Sequence, residues 1–183
     1  MLEEKTTRNL AIGAAAGLTV GLAANVVRKI FVQAPTFAAG EWDDALAAEH
    51  RATLALFDQI EKTDETHKVR RSLLLTQISH ALAKHAIEEE NAVYATLRTH
   101  GQAGEADRLN TDHGYVKQYL FELGQMATDH PQFPLKIRDF RSMLEEHIRE
   151  EEEKIFPKLR GMMSDEESAK LTKAMNIEGL KIA

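Results

Sequence analysis

A chain of 183 residues with a net charge of −6, 43% hydrophobic residues and no cysteine has room for one domain with a substantial core plus an appendage. The acidic balance, with no basic patch interleaved with aromatics, argues against a nucleic-acid surface. The missing cysteines exclude disulfides, thiolate metal sites, iron–sulfur clusters and cysteine nucleophiles.

Residues 1–34 form a first unit built on the apolar, Ala/Gly-rich segment Leu10 to Val27, in which Gly13, Gly17 and Gly21 recur every four residues. Small residues at that spacing, a glycine zipper, let helix backbones approach closely, and the segment approaches the length of a membrane span. Two readings stay open: a membrane anchor, or a soluble helix that packs on the domain or joins two copies. Glu3 and Glu4 stand where a cleaved signal peptide needs basic residues. The expected location is cytoplasmic, membrane-associated if residues 10–27 insert; in a spanning segment Arg28 and Lys29 favour keeping the domain C-terminal to them in the cytoplasm.

Gln33 to Gly40, with Pro35, reads as the connection into the main unit, residues 41–162. A first helix is expected from Trp42 to Glu61, with His50, Leu54 and Phe57 at core spacing, then a polar turn from Lys62 to Thr66. A second runs from Lys68 to Arg98 until Gly101 and Gly104 break it. A third carries Leu109, His113, Val116 and Leu120 on one face towards Thr128. Pro131 and Pro134 interrupt, and a fourth helix runs on to Gly161. Residues 163–183 add a short C-terminal helix opened by Ser164 with Glu167 at capping-box spacing. Long amphipathic helices with short connections make an all-α, up-down-up-down four-helix bundle.

One pattern occurs twice. Aligned on His85 and His147, Glu88, Glu89, Glu90, Val93, Tyr94 and Leu97 match Glu150, Glu151, Glu152, Ile155, Phe156 and Leu159. His50 precedes His85 by 35 residues, and His113 precedes His147 by 34. Each half is a single-histidine helix followed by a His-x-x-x-Glu helix. Residues four apart share a helix face, and both pairs fall on apolar stripes, Ile78, Ala81, Leu82, Ala92 and Val93 in one case and Phe140, Met143, Leu144 and Ile155 in the other. Buried carboxylates require positive charge, and a metal ion supplies it where no Lys or Arg lies on the stripe. Four imidazoles and two carboxylates suit two ions, each with two histidines, bridged by both glutamates. Nitrogen and oxygen donors without sulfur favour iron over manganese or zinc, and zinc usually stops at four ligands.

The order His, His-x-x-x-Glu, His, His-x-x-x-Glu on successive helices resembles the hemerythrin family, in its bacterial HHE cation-binding branch. The phrases Lys84-His85-Ala86-Ile87-Glu88-Glu89-Glu90, Glu146-His147-Ile148-Arg149-Glu150-Glu151-Glu152 and Ile155-Phe156-Pro157 carry it, over about Glu41 to Arg160. The resemblance implies a non-haem di-iron site, compatible with an oxo bridge, with His50, His85, His113 and His147 as terminal ligands and Glu89 and Glu151 as bridges. Oxygen carriers of the family have a further histidine where this chain has Lys117, which brings the site nearer the four-histidine type that handles nitric oxide or repairs iron centres. The repair proteins usually carry a cysteine-bearing N-terminal domain, and this chain has no cysteine.

The expected function is binding of oxygen, nitric oxide or peroxide for sensing, storage, detoxification or stress response. The alternatives are an enzyme turning over peroxide, or a membrane-associated or oligomeric structural protein whose metal only stabilises the bundle. Glu88, Glu90, Glu150, Glu152 and Glu153 read as a solvated face. Tyr94 and Tyr115 read as core filler. His67, His80, His100 and His130 are placed outside the site.

Overall fold

The computed structural model describes Thr36 and residues 38–182. Leu10 to Val27, and with it the choice between membrane anchor and oligomerisation helix, lies outside the described residues. No helix among the described residues is long and apolar enough to cross a membrane.

The fold is all-helical. Thr36, Ala38 and Ala39 are already helical, so the last part of the expected connection is not a loop, and Gly40 ends it at a φ of 95° that favours glycine. Helix α1 spans Trp42–Glu61, with Asp43 and Asp44 in its first turn, where the helix dipole favours negative charge. Helix α2, Lys68–Glu88, passes through a π-helical turn, Glu89–Val93, into α3, Tyr94–Thr99. Helix α4 covers Ala103–Gln125. Helix α5, Phe133–Glu150, starts with Pro134, whose missing N–H is no loss in a first turn. It passes through a second π-helical turn, Glu151–Ile155, into α6, Phe156–Met162.

Helices α1, α2, α4 and α5 form the four-helix bundle, α1 packing on α2 and α5, and α4 on α2 and α5. Its ends are tied by specific groups. Arg71 is buried and donates to the Thr63 carbonyl at 3.0 Å and the Thr128 carbonyl at 2.6 Å, clamping both connections at one end, while its guanidinium lies over the Phe133 ring.

Helix α7, Asp165–Ile182, is a full 18 residues and not the short appendage expected. It packs along α1, α2 and the first π turn. Leu171 and Met175 are buried there, and Trp42 Nε1 donates to Ser168 Oγ at 3.2 Å. Sequence periodicity alone understates it because its buried face is narrow. Ser164 and Glu167 close the expected capping box, Glu167 accepting from the Ser164 N–H at 2.8 Å.

Two apolar clusters fill the bundle. One holds Trp42, Leu46, Tyr94, Leu97, Leu109, Phe156 and Leu159; the other holds Phe57, Ile78, Leu82, Val116, Phe140 and Leu144. Each is dense with aromatic contacts, such as Phe57 against Phe140 edge-on at 5.2 Å. The four histidines and two glutamates of the repeated pattern form a buried polar layer of their own.

Candidate metal centre

The six residues singled out by the repeat come together. His50 lies on α1, His85 on α2, His113 on α4 and His147 on α5, while Glu89 and Glu151 open the two π turns. All four histidines are 3–5% exposed and both carboxylates are fully buried. A π turn inserts an extra residue into the helical repeat, and such turns concentrate at functional sites. Here each begins at the carboxylate itself, so the helix is unwound where the glutamate leaves it.

The inward atoms converge. His50 Nε2 faces His85 Nε2 at 2.8 Å and Glu151 Oε2 at 3.5 Å; His85 Nε2 lies 3.1 Å from Glu89 Oε2. In the other half, His113 Nε2 lies 3.2 Å from Glu89 Oε2 and His147 Nε2 3.3 Å from Glu151 Oε2. Donor atoms fall into two compact tetrads, His50, His85, Glu89 and Glu151, and Glu89, His113, His147 and Glu151. Both carboxylates belong to both.

The outward nitrogens have carboxylates of their own. Nδ1 of His50 meets Glu152 at 2.8 Å, that of His85 meets Glu49 at 3.1 Å, and that of His113 meets Glu90 at 2.9 Å. Nδ1 of His147 points towards Asp112 at 3.6 Å, too far for a hydrogen bond. This layer largely repeats the internal symmetry: the acid before each single histidine faces the next helix's histidine, Glu49 bonding it and Asp112 stopping short, and the acid after each bridging position (Glu90, Glu152) bonds the single histidine of the other pair. Carboxylates behind metal-binding histidines fix the ring tautomer and raise ligand basicity.

The sequence reading missed most of that layer. Glu90 and Glu152 were expected on a solvated face, yet both bond ring nitrogens, and Glu88 is fully buried 2.9 Å from Lys84 Nζ. Glu150 does stay at the surface with Arg108, and Glu153 is exposed. The signal was present in the repeat itself, which pairs Glu90 with Glu152 and sets an acid before both His50 and His113. Lys84 is the buried cation that the stripes lacked; it bonds Glu49 at 2.5 Å behind His85. Lys117 bonds Glu90 at 2.8 Å, and so steadies the acid that holds His113.

Tyr94 is not mere filler. Its hydroxyl donates to Glu151 Oε1 at 2.5 Å and lies 3.3 Å from Glu89 Oε2 and 3.1 Å from His113 Nε2. Tyr115, by contrast, is 54% exposed and away from the core. His67, His80 and His130 are exposed and His100 is partly so, none of them in either tetrad.

The electrostatics follow from burial and pairing. Burial opposes ionisation of Glu89, but the charge of His85 and the hydrogen bond from His113 outweigh it and hold the carboxyl well below its usual range. Burial likewise opposes protonation of His85, which Glu89 and Glu49 nonetheless raise well above its ordinary value. His113 is raised to about 9 against burial by its bonds to Glu89 and Glu90. Burial, then the two neighbouring carboxylates, push the Tyr94 hydroxyl far up and keep it a neutral donor.

A metal ion fits this donor set. With Nδ1 protons committed outward to carboxylates, the Nε2 lone pairs of His50 and His85 point at each other, and only positive charge between them removes the conflict. Extra protons do this without metal; an ion does it with six donors in place. The buried Glu89 Oε1, Glu151 Oε2 and both ring nitrogens of His147 have no hydrogen-bond partner, so donor capacity is left over where an ion would sit.

Fold and site together define a helical-bundle protein with a buried histidine–carboxylate cluster of the kind that binds metal. Residues 43–159 match the hemerythrin HHE cation binding domain, and the chain belongs to that family. It is similar to an uncharacterised hemerythrin-like protein of Schizosaccharomyces pombe, 27% identical over 128 residues, covering 68% of this chain and 62% of that one. It is also similar to a protein named DNA nickase in Nostoc sp., 23% identical over 125 residues, covering 68% of this chain and 35% of that protein. The chain thus spans less than two thirds of either curated relative. No solved structure gives a significant match.

Proposed function

We infer that the chain binds two iron ions, one held by His50 and His85 and the other by His113 and His147, with Glu89 and Glu151 bridging, and that the centre takes up a small ligand: oxygen, nitric oxide or peroxide. The observation that carries the reading is that two tetrads share both carboxylates. Six nitrogen and oxygen donors for two ions leave coordination positions open, which suits redox-active iron better than four-coordinate zinc.

A cavity of about 10 Å³ lies at the centre, bounded by all four histidines and by Leu82, Ala86, Val116 and Leu144. That is about the space one water occupies. Apolar walls restrain bulk water there, and iron supplies the redox chemistry. Around it this chain's residues act as holders: Glu49, Glu90 and Glu152 orient three imidazoles. Sensing, storage and detoxification all follow from such binding.

The test is metal content together with the absorption spectrum of the full chain, reduced and then exposed to air. Two irons per chain with a spectrum that changes reversibly on oxidation are expected. Folded protein that takes up no iron would sink the reading. Steady-state consumption of added peroxide, measured on the iron-loaded chain, separates turnover from stoichiometric binding.

A further inference from the structure

The internal repeat holds in its four histidines and two bridging acids, and among the aligned residues that face the cluster it departs at one aromatic pair. Where the first half has Tyr94, the second has Phe156. Phe156 stacks on the His50 ring at 6.2 Å with an interplanar angle of 9°, and offers no donor atom. Tyr94 places its oxygen on the other half, 3.1 Å from His113 Nε2, 3.3 Å from Glu89 Oε2 and 2.5 Å from Glu151 Oε1. Ligands about 2.0–2.2 Å from one ion and at right angles to each other stand roughly 3 Å apart. The phenol oxygen therefore lies at the spacing of a neighbouring ligand, beside His113 of the second tetrad and the two carboxylates common to both.

We propose that Tyr94 is a further ligand of the ion held by His113 and His147, and that the Tyr94/Phe156 difference makes the two ions inequivalent, leaving the His50/His85 ion to take the exogenous ligand. This rests on the two-ion reading above. The second ion then has five protein donors and the first has four. The proton that Tyr94 now donates to Glu151 leaves to solvent as the ion binds, because a bound cation reverses the local preference for a neutral phenol. All four histidines line one small cavity, and the open position alone selects between the two pairs.

The test loads the full chain with iron and oxidises it, then compares it with Tyr94→Phe, which keeps the ring and its packing. Two irons per chain, with a phenolate-to-iron charge-transfer band in the visible and tyrosinate modes in the resonance Raman spectrum, are expected for the parent. Both signals should vanish in Tyr94→Phe while two irons remain. Two irons with no tyrosinate signal in the parent would overturn this inference and leave the two-ion reading intact; a chain that binds no iron would overturn both. Azide is the probe for the open position. It should bind the parent at one per chain, and Phe156→Tyr should give a second tyrosinate signal and lose azide. Unchanged azide uptake with the second signal present would overturn the assignment of the ligand to the His50/His85 ion.

Discussion

Replacing Glu89 with Gln alters charge at the centre of the cluster with little change of volume, and it separates what the carboxylate does with and without metal. In metal-free protein Glu89 lies 3.1 Å from His85 and 3.2 Å from His113 and helps raise both. His113 has a folded-state value of about 9, above its ordinary 6.5. A raised pKa stabilises fully below the unfolded value and loses that contribution as pH rises through the folded one. For His113 the whole effect is worth about 3 kcal/mol at pH 6 and is gone above pH 9. Glu89→Gln should remove a large part of it, so the variant unfolds at lower denaturant at pH 6, and the gap narrows as pH rises through 9. Glu89 itself is held low, so its own contribution is present above about pH 4.5 and is lost in acid. On the two-ion reading the same change removes a bridge common to both ions, and metal content should fall for both together. Denaturation curves at pH 6 and 9.5, with iron analysis of the same samples, give both readouts. Two irons per chain in Glu89→Gln would refute the bridging role, and a stability gap independent of pH would refute the electrostatic account.

Three further expectations rest on single contacts. Arg71→Ala strips the donors from the Thr63 and Thr128 carbonyls at the end of the bundle, and chemical denaturation should show a loss of about 2–4 kcal/mol with iron content unchanged; a loss under 1 kcal/mol would contradict the clamp. Lys84→Met leaves Glu49 and the buried Glu88 without the cation between them, at about 3–5 kcal/mol. Adding Glu88→Leu should recover much of that, and a double variant no more stable than the single one argues against the charge explanation. Val116→Phe fills the cavity beside the histidines at a packing cost of about 1–3 kcal/mol. Iron and azide uptake should both fall, whereas uptake of both equal to the parent's would place the centre elsewhere.

That the six central residues come together was legible because the pattern is periodic: a histidine and a glutamate four apart share the buried face of a helix, and the chain states it twice. Helix bounds were legible for the same reason, as with Trp42–Glu61 and the start of the second helix at Lys68. The acids behind the histidines were not. Glu90 and Glu152 stand in runs of charge that look solvated, and whether a half-exposed glutamate meets a ring nitrogen depends on a neighbouring helix at long sequence distance. Glu49 bonds a histidine 36 residues away, and Asp112 faces one 35 residues away. Tyr94 reads as apolar filler until the π turn before it is seen to bring its hydroxyl to the carboxylates.

The sequence by itself determined the helical bundle, the family and the set of buried donors, because hydrophobic period and ligand spacing are local properties of each helix. Tertiary structure alone decided which donors share a point, which acid stands behind which imidazole, and that Tyr94 lies at one half of the centre while Phe156 covers the other. Those depend on how four helices are turned against one another, and a rotation of one of them by a single residue would preserve every motif in the chain while taking its donor out of the cluster.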